Sequence, residues 1–236
     1  MTRSRPGPSW LLAMVALAAG LAGSAGSGFT PLHDGETLAG WTRCAGRAGF
    51  RVEDGAIVGT AIAEKANSFL CTDREYGDFV LELEFRVDEG LNSGVQIRSH
   101  VAERDHVVRW ITPAGEPTEQ KIRAGRVYGY QVEIDPSERA WSGGIYDEGR
   151  RGWLASLEGN PAARRAFRAG AWNRLRVEAR GDRLRTWINE VPATDLRDAM
   201  TPRGFVALQV HGVAHEPELA GRQVRWRRLR IRALAP

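Results

Sequence analysis

The chain has 236 residues, a formal net charge of +4, 42% hydrophobic residues and two cysteines. That length accommodates one domain with a sizeable core, and so slight a basic excess, scattered among acids, argues against a nucleic-acid binder. No G-x-S-x-G, H-E-x-x-H or P-loop pattern is present, which sets aside the hydrolases, peptidases and nucleotide binders that those patterns mark.

A leader pattern occupies residues 1–28. Arg3 and Arg5 precede an apolar stretch from Trp10 to Leu21, and small residues follow from Ala22 to Gly28. The stretch is short for a membrane span, so the pattern predicts a cleaved signal peptide, with an uncleaved anchor as the alternative. The expectation is an exported protein, periplasmic or secreted, whose residues 29–236 form one domain with no stable membrane span. Losing Arg3 and Arg5 but no acid lowers the charge from +4 to +2. In an oxidising compartment Cys44 and Cys71 are expected to form a disulfide that ties the N-terminal segment to the first strands.

Beyond the leader, strand signals recur and helix signals are scarce. Phe50 to Gly59 reads as a hairpin about Asp54-Gly55. From Phe79 to Val87 the alternation is clean, with Phe79, Leu81, Leu83, Phe85 and Val87 on one face and Glu82, Glu84 and Arg86 on the other. Val95 and Ile97 alternate with Gln96 and Arg98. His100 to Val127, polar and broken by Pro113, Gly115 and Pro117, reads as a long insertion or flap. Tyr130, Val132 and Ile134 oppose Gln131, Glu133 and Asp135, and a loop from Ser137 to Trp153 follows, dense in aromatics and arginine. Asn160 to Ala169 fits one short helix. Leu175 to Ala179, Leu184 to Ile188, Phe205 to His211 and Val224 to Ile231 complete the strands. In the last of these, Val224 and Trp226 differ in parity from Leu229 and Ile231, which predicts a bulge near Arg227-Arg228. Its five arginines between Arg225 and Arg232 read as a solvated face. Short strands between glycine-rich turns describe an all-β sandwich or jelly roll.

In a sandwich one face of each sheet packs inward and the other meets water or a ligand. Parity therefore predicts that Glu84, Arg98, Glu133 and His211 converge on one polar face. Gln96, Gln131, Asp135 and Gln209 belong there by the same rule, with Asn92 at a turn and Tyr146 in the aromatic loop that would rim a sugar. Gly212, after His211, lets a ligand or a loop come close. The plainer reading makes Glu82 and Glu84 cross-strand partners of Arg98, worth under about 1 kcal/mol each, and makes Trp172 and Trp187 core fillers.

Several segments resemble one family. They are Leu32-His33-Asp34-Gly35 to Gly40-Trp41, Val52 to Gly59, Glu75 to Arg86, Asn92-Ser93-Gly94, Tyr130 to Asp135, Gly170 to Asn173, and Leu208-Gln209 with His211-Gly212. In order and spacing they resemble the 3-keto-disaccharide hydrolase domain family across Phe29 to Leu234. The resemblance implies a concanavalin A-like jelly-roll sandwich and an enzyme that cleaves glycosides already oxidised to a ketone at C3. Two positions depart from it: Gln131-Val132-Glu133 stands where many members read Glu-Val-Gln, and Val210 where many have Asp. A C3 ketone acidifies the C2 hydrogen, so the glycosidic bond can break by β-elimination, followed by addition of water. This chemistry needs a base near C2 and positive charge near the ketone oxygen. Glu133 or His211 is the expected base and Arg98 the enolate stabiliser; Glu84, Asn92, Gln96, Gln131, Asp135, Tyr146 and Gln209 would orient the sugar. A divalent metal ion on Glu133, Asp135 or His211 would serve in place of Arg98. The alternative is a non-catalytic, lectin-like carbohydrate-binding domain on the same fold.

Overall fold

The computed structural model describes Met1 and residues 28–235, so the leader expected over residues 1–28 lies outside the described residues except at its two ends. In chain order the first strands are β1 (Thr30–Pro31), β2 (Trp41–Ala45), β3 (Gly49–Glu53), β4 (Ala56–Thr60), β5 (Ser68–Tyr76) and β6 (Phe79–Val87). Then come β7 (Ser93–Val101), β8 (His106–Ile111), β9 (Pro117–Ile122), β10 (Val127–Ile134), β11 (Ile145–Glu148) and β12 (Gly152–Ala155). After helix α1 (Pro161–Ala166) follow β13 (Asn173–Arg180), β14 (Arg183–Ile188), β15 (Val191–Arg197), β16 (Gly204–Val210) and β17 (Gln223–Ala233).

The strands build two antiparallel sheets that pack as an all-β jelly-roll sandwich. Sheet A has the order β15-β14-β13-β6-β17-β4-β3, with β1 beside β17. Sheet B has the order β12-β11-β10-β7-β16-β5-β2. The expected insertion is a separate hairpin, β8 with β9. The expected aromatic loop is only partly a loop, because its second half forms β11 and β12 and widens sheet B.

Alternation does what its period requires. Phe79, Leu81, Leu83 and Phe85 of sheet A bury against the inward rows of sheet B, among them Val95, Ile97, Tyr130, Val132 and Leu208. Each such side chain contributes about 1.5–3 kcal/mol on leaving water, set against the entropy of ordering it. The Asp54-Gly55 hairpin turns with φ of 51° and 73°, the left-handed pair that a two-residue turn between twisted strands demands. Asn160 caps α1, its side chain accepting from Ala163 N at 3.1 Å with Pro161 in the first turn. Cys44 and Cys71 form a disulfide joining β2 to β5, with Cα atoms 5.8 Å apart. In the chain-entropy account the loop it closes, over a sequence separation of 27, contributes about 3.5 kcal/mol. Among the described residues no helix is long and apolar enough to cross a membrane.

Two bulges decide which polar residues meet. The one expected in β17 is present: Arg227 pairs with Glu84 and Arg230 with Glu82, and Arg228 between them has φ of 53°. The other, in β7, breaks the parity used to place Arg98. Gln96 pairs with Ala207 and Ser99 with Phe205, so Ile97 and Arg98 together oppose the single residue Val206. Arg98 has φ of 46°. The extra residue turns Arg98 away from the polar face and brings Ser99 onto it in its stead.

Candidate functional site

The outer face of sheet B carries a row of amides around one carboxylate. Gln131 of β10 lies opposite Gln96 of β7 and Tyr146 of β11, while Glu133 and Gln209 flank Gly94 from either side. Gln96 and Gln209 each donate to Gln131 Oε1 at 2.7 Å. Gln131 Nε2 then donates to Glu133 Oε2 at 2.9 Å, and Asn92 Nδ2 donates to Glu133 Oε1 at 2.6 Å. Ser99 Oγ closes the row at Gln96 Oε1, 2.9 Å. Glycine is required at the centre, since a Cβ on Gly94 would meet Gln131 Cδ at 2.5 Å. The Oε1 of Gln209 is buried and has no partner among the described residues, a waiting acceptor for a hydroxyl.

Glu133 is the unusual group. Burial pushes its pKa up to about 7, further raised by Asp135 and opposed by the amides of Asn92 and Gln131 and by Arg139. Amides solvate a carboxylate without neutralising it, so desolvation wins. The nearest cation is Arg139, whose Nη2 stands 3.6 Å from Glu133 Oε1. Arg139 also lies over Trp141 and Trp153, 4.7 and 5.0 Å from their ring centres. Trp153 in turn meets Tyr146 edge to face at 5.4 Å. These aromatics and Arg139 form one rim.

The opposite side of the face is apolar. Phe69, Cys71, Phe205 and Ala207 pack beside the disulfide, and a cavity of about 280 Å³ opens between Lys65–Asn67 and Arg123–Val127, with Phe69 and Glu148 on its walls. His211 directly follows β16, one residue past the pair Val210–Ser93. Its ring is half-buried, and burial lowers its pKa below the ordinary histidine value. The space at Gly212 is taken by the carbonyls of Glu64 and Ala66, so a loop, not a ligand, makes the close approach there. Two strand spacings of about 4.8 Å separate the Glu133 and Gln209 backbones, and the Gln131 amide bridges the gap, bonded to both side chains.

Three expected members are elsewhere or otherwise engaged. Glu84 sits on the outer face of sheet A, paired with Arg227 at 2.7 Å and Arg228 at 2.8 Å; β6 belongs to the opposite sheet, so equal parity puts it on the far side of the molecule. Arg98 lies inside the sandwich, donating to Gly77 O at 2.8 Å, Gly181 O at 2.7 Å and Asp78 Oδ1 at 2.9 Å, which makes it a strut between the ends of the two sheets. Asp135 organises the loop. Its Oδ1 accepts from Ser137, and its Oδ2 from Arg139 Nε at 2.8 Å and Trp141 N at 3.1 Å. With both oxygens so engaged, Asp135 has nothing left for a metal. Among the described residues no three His, Cys, Asp or Glu side chains come together as a metal site, so a divalent ion does not fit this donor set.

Arg139, Ser99, Phe69 and Glu148 were missed by the sequence reading. Only Arg139 had a signal, its spacing of four from Asp135.

A two-sheet sandwich with an amide floor, an aromatic rim and an apolar flank defines a carbohydrate-related domain of the concanavalin A and galectin type. The chain belongs to the family of 3-keto-α-glucoside-1,2-lyase-like domains, whose family model matches residues 28–232. Similar solved structures include a candidate glycosyl hydrolase from Parabacteroides distasonis, 17% identical, with 88% of this chain and 94% of that one covered and a TM-score of 0.56. A protein of unknown function with a galectin-like fold from Bacillus subtilis is 10% identical, with 81% and 88% covered and a TM-score of 0.52. At these identities the likeness is one of fold. No curated protein matches the sequence.

Proposed function

We propose that this protein is an exported enzyme that cleaves 3-keto-glycosides by elimination and hydration, with Glu133 as the base. The observation that carries the reading is a buried carboxylate, on a floor of amides, with a pKa near 7. A base poised near the working pH is the most effective one, and a lectin floor has no use for it. Family membership supports the substrate class.

In the reaction Glu133 takes the proton from C2. The electron pair first moves onto the C3 oxygen as an enolate, which then collapses to form the C1–C2 double bond as the C1–O bond breaks, and the departing oxygen takes a proton from solvent. Arg139, beside Glu133, supplies the positive charge once expected of Arg98 and steadies the enolate. Water then adds at C1, giving its proton to His211, which burial holds neutral and able to accept one. Glu133, its proton exchanged with solvent in the meantime, protonates C2. Gln96, Gln131 and Gln209 orient hydroxyls, and Tyr146 and Trp153 bound the ring.

Incubation with a 3-keto-glucoside in D2O tests this. Release of the aglycone with deuterium incorporated at C2 is the expected result. Binding without release or exchange would establish the lectin-like alternative, which the amide floor by itself would also serve. Export is tested by the N-terminal sequence of the protein recovered outside the cytoplasm, which should begin near Phe29.

A further inference from the structure

The outer face of sheet A holds a second cavity, of about 390 Å³, far from the amide row. Its walls include His33, Glu82, Glu84, Arg174, Arg228 and Arg230. The β17 bulge creates it by placing Arg227 and Arg228 in succession on Glu84. Glu82 is contacted by Arg176 at 2.7 Å, Arg230 at 2.6 Å and Arg174 at 3.6 Å. Five guanidiniums thus converge on two carboxylates, and adding their outer partners Glu178 and Glu190, with Arg185, leaves six cations on four anions. The four oxygens of Glu82 and Glu84 are all taken, while each guanidinium has N–H groups to spare.

A second, independent observation concerns His33. Its side chain is only 2% exposed. Gly35 N donates to His33 Nδ1 at 3.2 Å, so in the neutral ring Nε2 carries the hydrogen. That Nε2 is buried with no hydrogen-bond partner among the described residues, the Asp34 Oδ1 standing beyond hydrogen-bond reach at 4.0 Å, a donor costly to leave unmet. Excess cations and an idle donor in one cavity call for an acceptor bearing negative charge.

We propose that this cavity is a second ligand site, for an oxyanion: a phosphate or carboxylate group such as a phosphorylated or acidic saccharide carries. It is independent of the cleavage reaction and would seat an acidic ligand on the face opposite the amide row.

Calorimetric titration of inorganic phosphate, glucuronate and glucose at pH 7 tests it, using the wild type, Arg228→Gln and His33→Phe. Arg228 is well exposed, so its variant should fold. Phosphate or glucuronate should bind and glucose should not, and each variant should weaken the anion by roughly tenfold, the loss of one charge-assisted hydrogen bond. Binding of phosphate alone assigns a phosphoryl ligand, and of glucuronate alone an acidic sugar. No binding of either anion, or unchanged affinity in both variants, overturns the proposal.

Discussion

The two outer faces of this sandwich both carry glutamates at regular strand positions, yet they treat them in opposite ways. On sheet A, burial pushes Glu84 up, but Arg227 and Arg228 together outweigh it and hold its pKa below the ordinary value. On sheet B, Glu133 is hydrogen-bonded by amides, with the single guanidinium of Arg139 held off at 3.6 Å, and burial takes its pKa to about 7. A carboxylate matched to cations is committed to being charged. One matched to dipoles is left undecided near neutral pH, where it can take or give a proton. The partner, more than the glutamate, separates a structural acid from a reactive one.

Four experiments would break or sharpen that contrast. Glu133→Gln should lower turnover of a 3-keto-glycoside by roughly 10² to 10⁴, since an amide cannot take the C2 proton; wild-type kcat should rise through about pH 7 and level off above it. A mutant that retains full activity removes Glu133 as base and leaves His211, whose replacement by Asn then becomes the decisive variant. Next in size, Arg98→Met should cost about 3 kcal/mol in chemical denaturation, because it strands the carbonyls of Gly77 and Gly181 and the carboxylate of Asp78. A change in catalysis without a change in stability would return Arg98 to the site. Third, the native state holds the Glu133 proton more tightly than the unfolded chain does. Stability from this group is therefore lost as pH rises from about 4.5 to about 7, by about 3 kcal/mol in all. Glu133→Gln should lack that slope, so its stability relative to wild type should improve between pH 5 and pH 8; parallel pH curves would contradict the raised pKa. Smallest is Glu84→Gln, expected to cost under about 1 kcal/mol and to leave kcat and KM untouched.

How far the sequence could be read depended on which physical signal a residue obeyed. The strands at Phe79–Val87 and Tyr130–Asp135 were legible because a period of two is a local property. The bulge at Arg227-Arg228 showed itself as a break in parity among apolar residues. The bulge at Arg98 did not, because its neighbours Ser99 and His100 are polar and no apolar residue marks the shift. Glu84 was misplaced for a different reason: parity says in or out but not which sheet, and β6 joins sheet A only through pairings with β13 and β17, more than 80 residues away in the chain. Gln96, Gln131, Glu133 and Gln209 were grouped correctly since their strands are neighbours. Arg139 was overlooked because it lies in a loop, where no periodicity speaks.

Strand order also has a kinetic meaning. The middle of each sheet is completed by late arrivals: β16 lies between β7 and β5, and β17 between β6 and β4. Until those two strands arrive, each sheet is divided into halves with bare edges, and neither half can close a core. Pairings so distant in sequence are slow to form, and a growing chain would stay open until the residues from Gly204 onward had emerged. Under the export proposed above, such a delay would keep the chain unfolded for transport, with folding and oxidation of the cysteines deferred to the far side of the membrane.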